Sequence, residues 1–501
     1  MASHILTASI LGLEAYPVDV EADISPGLGA FVIVGLPDTA IQEARERVRS
    51  AMKHSDTPFP RTRVTVNLAP ADLKKTGTPF DLPIALSILV AQGDLPELSL
   101  KRRMFAGELG LDGSLRPIHG ALSFALLAKE SGIEELILPF ANAKEAALVS
   151  GISILPAQTL REVIDHLLAK HLLSAEPARE LSKNLFAPQG LDFSAIRGQA
   201  QARRALEIAA AGGHNILMQG PPGSGKTLLA RSFPSILPRL RPEEALQTTR
   251  IHSVAGLLPE DGVILERPFR APHHSASTPS LVGGGTVPRP GEISLAHRGV
   301  LFLDEFLEFP RTVIESLRQP LEDGFVTVSR AQGSVTFPAR FILLAAMNPC
   351  PCGFLTDGDA ACTCSPVQIL KYRKRLSGPL LDRLDLFIEV PKVKTQELTE
   401  IAPAECSADI RKRVDAARER QTGRFSELGL QTNAELSSDQ VRRLIHLSGE
   451  ARDLLKHAVD HYRLSARAYF RLLKVSQTIA DLAGEDLVGM PHVAEALQYR
   501  Q

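Results

Sequence analysis

The segment NILMQGPPGSGKTLLARSF, residues 215–233, decides the fold class of this chain. Its apolar start predicts a buried strand and its end predicts a helix, so the stretch between them lies where a phosphate-binding loop must lie. That stretch matches the pattern G-x-x-x-x-G-K-[ST] completely, with the members Gly220, Pro221, Pro222, Gly223, Ser224, Gly225, Lys226 and Thr227. Glycines let backbone N–H groups curl around phosphates at the positive end of a helix. The segment therefore predicts an α/β domain that binds a nucleotide.

The end of this loop and a second strand carry the expected chemistry. Lys226 is expected to reach the β and γ phosphates of ATP, and the Thr227 hydroxyl to ligate Mg²⁺. Residues 299–303 are an apolar run followed by Asp304 and Glu305, which is a Walker B pattern. Asp304 is expected to support Mg²⁺ and Glu305 to polarise the attacking water. An acidic strand end is common in α/β proteins, but the upstream loop favours ATP hydrolysis.

Two further polar residues follow apolar runs. Asn348 ends a strand-like run that starts at residue 341. If that strand lies between the other two, the Asn348 amide can orient the lytic water. Arg383 stands among apolar residues and the acids Asp382 and Asp385. It is either an ion-pair partner of one of these acids or a finger offered to a neighbour's γ-phosphate.

Length and charge limit what the rest of the chain can do. The 501 residues predict about two to four domains. Lys and Arg number 56 against 57 Asp and Glu, so a uniformly basic nucleic-acid coat is excluded and any polyanion site must be local. The start of the chain has no basic segment before an apolar run, and no stretch approaches the ~18 apolar residues of a membrane span. A cytoplasmic protein without a membrane partner is expected.

Four segments follow one another along the chain. Residues 1–170 alternate short β-rich runs with helical stretches and predict a first α/β domain. Residues 171–190 lose this periodicity and predict a linker. Residues 191–393 predict a second α/β domain with buried parallel strands, and residues 394–501 predict a helical domain.

Four of the five cysteines lie close together in sequence, namely Cys350, Cys352, Cys362 and Cys364. The spacing C-x-C-x₉-C-x-C brings four thiolates near enough to surround one tetrahedral Zn²⁺. A structural Zn²⁺ is favoured over a redox pair and over four tolerated small residues. Such an ion would stiffen the loop between Asn348 and Arg383.

Longer motifs carry a resemblance to a known family. The strings RAPHH (270–274), PRPGEISLAH (288–297), NPCPCG (348–353) and SGPLLDRLDL (377–386) accompany the Walker pair. Together they resemble the magnesium-chelatase-like AAA+ ATPases, and within these the YifB/ComM family, over essentially the whole chain. The resemblance implies a Lon-protease-like (S5-type) α/β domain, an AAA+ P-loop αβα core with the cysteine cluster at 350–364, and a C-terminal helical lid.

The same resemblance implies an activity and roles for single residues. It implies a homo-hexameric ring that hydrolyses ATP at subunit interfaces and moves on single-stranded and branched DNA without reading sequence. It further implies branch migration during recombination, notably of incoming DNA in natural transformation, with recombination proteins as further partners. Asn348 matches sensor 1, Arg383 the trans-acting finger and Arg467 sensor 2, for which Arg463 and Arg471 are nearby alternatives. An exposed helical arginine is the plainer interpretation of Arg467.

A candidate DNA contact lies between Walker B and Asn348. Residues 325–337 alternate around a glycine-containing turn and predict a β-hairpin. In related ring translocases such a hairpin lines the pore, so the resemblance implies that Arg330 and Gln332 contact DNA phosphates. The alternative is an ordinary solvent-exposed hairpin. His273 and His274 have no acids or cysteines at ligand spacing, so a loop role is expected for them rather than metal binding.

Two other functions compete with a DNA motor. A Lon-type protease needs a serine and a lysine, but Phe80 and Asp81 stand where the nucleophile is expected and the partner segment contains no lysine. Thr78 and Ser123 have no evident base, so a non-catalytic scaffold is predicted. The second competitor is a magnesium-chelatase-like motor subunit that remodels a protein partner. It is disfavoured because the chain devotes about 170 residues to the amino-terminal domain.

Overall fold

The computed structural model describes residues 4–179, 190–285, 288–330, 333–357, 362–392 and 405–500. The strands of its amino-terminal region are β1 (Ile5–Leu11), β2 (Glu14–Ser25), β3 (Ala30–Val34), β4 (Arg63–Ala69), β5 (Arg103–Phe105), β6 (Glu108–Leu109), β7 (Leu115–Arg116), β8 (Glu135–Pro139) and β9 (Ser153–Ala157). The helices there are α1 (Thr39–His54), α2 (Asp81–Gln92), α3 (Ala121–Glu130), α4 (Ala143–Ala146) and α5 (Leu160–Leu167). The predicted alternation of strands and helices is confirmed in this region.

Seven of these strands form one mixed sheet in the order β3-β4-β2-β1-β5-β8-β9. The pairs β1–β2 and β2–β4 are antiparallel, while β3–β4, β1–β5, β5–β8 and β8–β9 are parallel. Strands β6 and β7 pair separately.

The central region is built around a second sheet. Its strands and two small hairpins are β10 (Ile216–Gln219), β11 (Phe269–Arg270), β12 (Gly283–Gly284), β13 (Arg289–Pro290), β14 (Val300–Leu303), β15 (Phe325–Arg330), β16 (Gly333–Pro338), β17 (Ile342–Met347) and β18 (Leu386–Glu389). Five of them form an all-parallel sheet in the order β11-β14-β17-β10-β18. The prediction that the strand before Asn348 lies between the other two is confirmed, because β17 pairs with both β10 and β14.

Helices surround this sheet and make up the carboxyl-terminal region. Those of the central region are α6 (Ala200–Gly212), α7 (Lys226–Ser232), α8 (Pro242–Ala255), α9 (Thr278–Val282), α10 (Glu292–Leu295), α11 (Arg311–Ser316), α12 (Arg318–Asp323), α13 (Pro366–Arg373) and α14 (Gly378–Leu381). The region after them holds α15 (Ser407–Arg424), α16 (Ser438–Leu444), α17 (Gly449–Tyr462), α18 (Ala466–Ala483) and α19 (Met490–Gln498). Residues 405–500, the described part of this region, are helical, as the sequence predicts.

Both faces of the parallel sheet are covered, which explains why its central strands are apolar throughout. Alternate residues of β17 point to opposite faces. Leu344 belongs to a buried cluster with Val414 and Leu473 of the carboxyl-terminal helices. Leu343 belongs to a second cluster with Phe337 of the β15–β16 hairpin. The sheet is therefore held between two layers, and only its strand ends are free to form a site.

The amino-terminal and central regions contact one another through polar groups. Arg250 Nη2 donates to Glu14 Oε2 at 2.8 Å, and Arg250 Nε donates to Ser123 Oγ at 3.1 Å. Ser123 Oγ in turn donates to the Leu13 carbonyl at 2.6 Å. The Ser123 hydroxyl thus joins the two regions.

The turn where a protease nucleophile is expected contains a buried ion pair instead. Asp81 is buried at the start of α2, and Arg47 Nε and Nη2 donate to its two carboxylate oxygens at 2.6 and 3.0 Å. This buried ion pair fits the scaffold prediction, while the Lon-like assignment itself stays a prediction. The domain limits at 170, 190 and 393 also stay predictions, and residues 180–189 and 393–404 lie outside the described residues. Within the described ranges, no helix has the length and apolar character that crossing a membrane requires.

Candidate functional site

The phosphate loop connects the end of β10 to the start of α7. Gly223 and Gly225 have φ values of +76° and +90°, which favour glycine. A Cβ on Gly220 would lie 2.1 Å from the Val390 carbonyl oxygen, so no other residue fits there. Lys226 is the first residue of α7. The loop therefore opens at the amino end of a helix, as the sequence predicts.

The Lys226 side chain folds back over this loop. Its Nζ donates to the carbonyls of Gly220 and Pro221 at 2.7 and 2.8 Å and lies 3.5 Å from Asn348 Oδ1. Burial lowers the pKa of Lys226, and the nearby Asp304 carboxylate partly offsets that effect. An anion in the loop would relieve the desolvation of this ammonium group. The structure thus brings together the phosphate loop and Asn348.

The residues expected at the metal lie beside the loop. Thr227 Oγ1 donates to Asp304 Oδ2 at 2.7 Å, and Asp304 Oδ1 accepts the Glu305 N–H at 2.9 Å. A hydroxyl and a carboxylate are the oxygen donors that Mg²⁺ takes from proteins when it also binds phosphates. The pair therefore fits Mg²⁺ at this position.

Glu305 has a partner that the sequence analysis missed. Its backbone is left-handed, with φ +50°, a conformation that is costly for a residue other than glycine. His274 Nδ1 lies 3.3 Å from Glu305 Oε2, a contact between two loops that the sequence did not predict. The two residues meet because each follows one of the paired parallel strands β11 and β14. The contact could have been predicted from the pairing of β11 with β14, but only with the strand order known.

The two arginines assigned from the resemblance lie at the opposite end of the sheet. The Arg383 carbonyl accepts a hydrogen bond from Asn215 Nδ2 at 3.1 Å, and Asn215 precedes β10, whereas the phosphate loop follows it. The four residues of β10 lie between Asn215 and Gly220, so five residue steps separate these ends by roughly 17 Å. Arg467 shares a cleft with Arg383. Neither arginine belongs to the phosphate loop of its own chain.

One carboxylate joins these arginines. Arg383 Nη2 donates to Glu322 Oε2, and Arg467 Nη2 lies 3.7 Å from Glu322 Oε1. The alternative that paired Arg383 with Asp382 or Asp385 named the wrong acid, because α12 brings Glu322 to it. Burial lowers the pKa of Arg383, and the charge of Arg467 lowers it further. Positive charge is thus concentrated here.

The alternatives to Arg467 have other partners. Arg471 Nη1 donates to the Leu384 carbonyl at 3.1 Å, and its Nε lies 3.6 Å from Asp385 Oδ1. Arg463 ends α17 with a left-handed backbone. The Arg467 side chain is 59% exposed, against 19% for Arg471, so Arg467 is the more accessible of these two.

The predicted hairpin is formed by β15 and β16, with Arg330 paired to Gly333. One side of it is buried, through Val326, Val328, Val335 and Phe337. A Cβ on Gly12, in the β1–β2 turn, would lie 2.3 Å from Val335 Cγ1. One face of the hairpin is therefore packed, and the choice between a pore-lining hairpin and an ordinary solvent-exposed one stays open. Gln332 and the Arg330 side chain lie outside the described residues.

The four clustered cysteines come together in space. All their sulfur atoms lie within 4.8 Å of one another, and all four are free thiols. The arrangement follows β17 directly, so it lies on the phosphate-loop side of the sheet.

Two of the longer motifs hold the sheet edge together. Arg270 Nε and Nη2 donate to the Glu292 carboxylate at 2.6 and 2.7 Å, which joins β11 to α10. His297 Nδ1 accepts the Arg340 N–H at 3.1 Å, and burial lowers the pKa of His297 to about 3. A neutral His297 is the form that can accept this hydrogen bond.

Family models match the chain in three consecutive parts. The model described as magnesium chelatase, subunit ChlI, matches residues 192–398. The model for subunit ChlI of Mg-chelatase matches residues 20–142, and the model for the ChlI C-terminal part matches residues 404–500. The first of these contains the phosphate loop, the acidic strand end and the cysteine cluster.

Curated relatives match over nearly the full length. The chain is 46% identical to competence protein ComM of Haemophilus influenzae, over 99% of this chain and 97% of that protein. It is 45% identical to the uncharacterized protein YifB of Escherichia coli, with the same coverage. A magnesium-chelatase 38 kDa subunit of Acidiphilium rubrum is 25% identical over 60% of this chain and 87% of that protein. The chain therefore belongs to the YifB/ComM family of magnesium-chelatase-like proteins.

Proposed function

We propose that this protein is a ring-forming ATP hydrolase that moves on DNA and promotes branch migration in recombination, notably of incoming DNA in natural transformation. The observation that carries the proposal is a divided site. Lys226, Asp304 and Glu305 lie at one end of the parallel sheet, and Arg383 with Arg467 lies at the other. A subunit built in this way needs a second copy to complete its chemistry. The printed name of the ComM relative, a competence protein, supports the biological setting.

Within one subunit each residue has a defined task. Lys226 binds the phosphates of ATP, and Thr227 and Asp304 hold Mg²⁺, which when bound neutralises charge on the phosphates. Glu305 accepts the proton of the attacking water, and Asn348 orients that water. The cofactors of this activity are ATP and Mg²⁺.

Between subunits the arginines complete the site. Arg383 and Arg467 reach the γ-phosphate bound by the adjacent copy, where they stabilise charge in the transition state. In a single subunit, Glu322 pairs with both and occupies the place of that anion. A closed homo-hexamer supplies one arginine pair to every site.

DNA is expected to run through the ring along the hairpins. Arg330 and Gln332 contact phosphates, so binding is independent of sequence and sensitive to salt. The base of the hairpin is buried in one cluster with residues of the parallel sheet, so a movement of the sheet can be transmitted to the hairpin tip. This packing supports the proposal. The net charge of −1 is compatible with it, since repetition around a ring concentrates charge locally.

A motor that remodels a protein partner is the second candidate, and the magnesium-chelatase subunit among the relatives favours it. That match covers 60% of this chain, whereas the ComM and YifB matches cover 99%. The proposed DNA motor therefore stands first. We place this DNA motor in the cytoplasm and expect recombination proteins as its partners there.

DNA stimulation of ATP hydrolysis tests the DNA part of the proposal. Single-stranded DNA is expected to raise the hydrolysis rate of the wild-type protein, and Arg330→Glu is expected to remove most of this rise while sparing basal turnover. The slope of log Kd for DNA against log salt should fall by about one per lost phosphate contact, and so by up to roughly six for a ring.

Arg442→Glu is the matched control, because Arg442 is an exposed arginine on α16 whose side chain is 68% accessible. It is expected to leave the stimulation unchanged. Full stimulation of Arg330→Glu, with an unchanged salt slope, would contradict the hairpin assignment.

A further inference from the structure

The four clustered thiols are arranged as the ligands of one metal ion. Cys350 Sγ lies 3.3 Å from Cys352 Sγ and 3.7 Å from Cys362 Sγ, and Cys352 Sγ lies 3.5 Å from Cys362 Sγ. Cys364 Sγ accepts the Cys352 N–H at 3.4 Å. Tetrahedral zinc with Zn–S bonds of ~2.3 Å sets its sulfur atoms about 3.8 Å apart. The thiol spacing is therefore close to that of a ZnS₄ centre.

We propose that Cys350, Cys352, Cys362 and Cys364 bind one Zn²⁺ and that this ion fixes the phosphate loop and Asn348 in their binding geometry. The second half of this inference rests on the proposed function, and the first half does not. Four thiolates with no oxygen or imidazole ligand select zinc over the hard cations Mg²⁺ and Ca²⁺.

The connection to the nucleotide site runs through Gly353, the residue after Cys352. Gly353 has φ +87°, and its N–H donates to the Cys350 carbonyl at 3.0 Å. A Cβ on Gly353 would lie 2.6 Å from Pro222 Cδ and 3.9 Å from Asn348 Cγ. The cysteine turn is thus in direct contact with the phosphate loop.

The second cysteine pair is tied to the acidic strand end. Cys364 precedes Ser365, whose side chain caps α13. Just beyond α13, Arg375 Nη1 donates to the Leu307 carbonyl at 2.6 Å, close after Glu305 in the chain. A metal that joins Cys350 and Cys352 to Cys362 and Cys364 therefore links the end of β17 to the segment after β14. In the described residues, sulfur–sulfur contacts and the hydrogen bond from the Cys352 N–H to Cys364 Sγ join the two cysteine pairs, and a metal would strengthen this link.

Metal analysis tests the first half of the inference. Full-length protein purified without chelator is expected to contain about one zinc per chain by mass spectrometry of the elements, as a Cys₄ site requires. The double variant Cys362→Ser, Cys364→Ser is expected to lose it, whereas Cys406→Ser is expected to keep it. Cys406 is a suitable control because its Sγ donates to Asp409 on α15, outside the cluster. A protein that folds and contains no zinc would overturn the metal site.

Nucleotide affinity tests the second half. Stripping zinc from wild-type protein with a chelator is expected to raise the Kd for a fluorescent ATP analogue about five- to tenfold, and added Zn²⁺ is expected to restore it. Gly353→Ala keeps all four thiols but pushes the turn against Pro222, so it should retain zinc and still weaken binding. Thermal unfolding of each sample checks that the chain stays folded.

The outcomes separate the two halves. If the protein contains zinc but its Kd for the ATP analogue is unchanged after the zinc is removed, the proposed effect of zinc on the phosphate loop is wrong. The zinc site itself would still stand. Zinc present in a protein that binds no ATP analogue at all would contradict the proposed function rather than the metal site.

Discussion

Glu305→Gln is expected to lower kcat for ATP hydrolysis by about 10²- to 10⁴-fold, the usual contribution of a positioned general base. Glutamine keeps the size of the side chain and its hydrogen bonding but cannot take a proton from water. The phosphate loop, Thr227 and Asp304 are unchanged, so the Kd for ATP should stay close to that of the wild type. Steady-state hydrolysis and binding of a fluorescent ATP analogue measure the two quantities separately.

Glu308→Gln is the control for this variant. Glu308 is a nearby exposed acid that pairs with Arg375 at 3.4 Å. It is expected to change kcat little. A Glu305→Gln protein that hydrolyses ATP at the wild-type rate would remove Glu305 from the chemistry and point to another base.

Arg383→Ala is expected to lower kcat by about 10³- to 10⁵-fold, the range for a finger that acts on a neighbour's γ-phosphate. The reason is geometric, because Arg383 lies at the strand ends opposite its own phosphate loop. Lys226→Ala should be inactive for the complementary reason, since it removes the phosphate contact.

Mixing the two inactive variants distinguishes action in trans from action in cis. An equal mixture places an intact phosphate loop beside an intact Arg383 at about one quarter of the interfaces of a ring. Hydrolysis should therefore reappear in the mixture of Arg383→Ala with Lys226→Ala. The control mixture, Arg442→Ala with Lys226→Ala, should show no recovery. Its ATP hydrolysis should be that of Arg442→Ala, lowered by the inactive Lys226→Ala subunits. No recovery in the first mixture, with rings present by mass measurement, would contradict the assignment in trans.

The parts of the site that a local pattern defines were predictable from sequence. The loop from Gly220 to Thr227 and the acids Asp304 and Glu305 each follow an apolar strand, and strand ends in a parallel sheet converge. The place of Asn348 between them followed only on the condition that its strand lies between the other two, and the observed strand order meets that condition. Local chemistry, not distant contacts, determines these positions.

Other contacts depend on strand order and could not be read from spacing. His274 lies 31 positions before Glu305, and they meet only because β11 and β14 are neighbours. Glu322 meets Arg383 because α12 ends near α14, although Asp382 is adjacent to that arginine in sequence. The burial of the hairpin base depends on a turn near Gly12 in another region of the chain. Tertiary packing decides all three.

A branch-migration assay with purified protein tests the central claim most directly. A labelled three-stranded DNA junction is incubated with the protein and Mg²⁺, with ATP, with ADP or with no nucleotide. We expect a DNA motor to displace the labelled strand only with ATP, and its Glu305→Gln variant to bind the junction but displace no strand. ATP hydrolysis that proceeds at full rate on this junction while the labelled strand stays in place would contradict it.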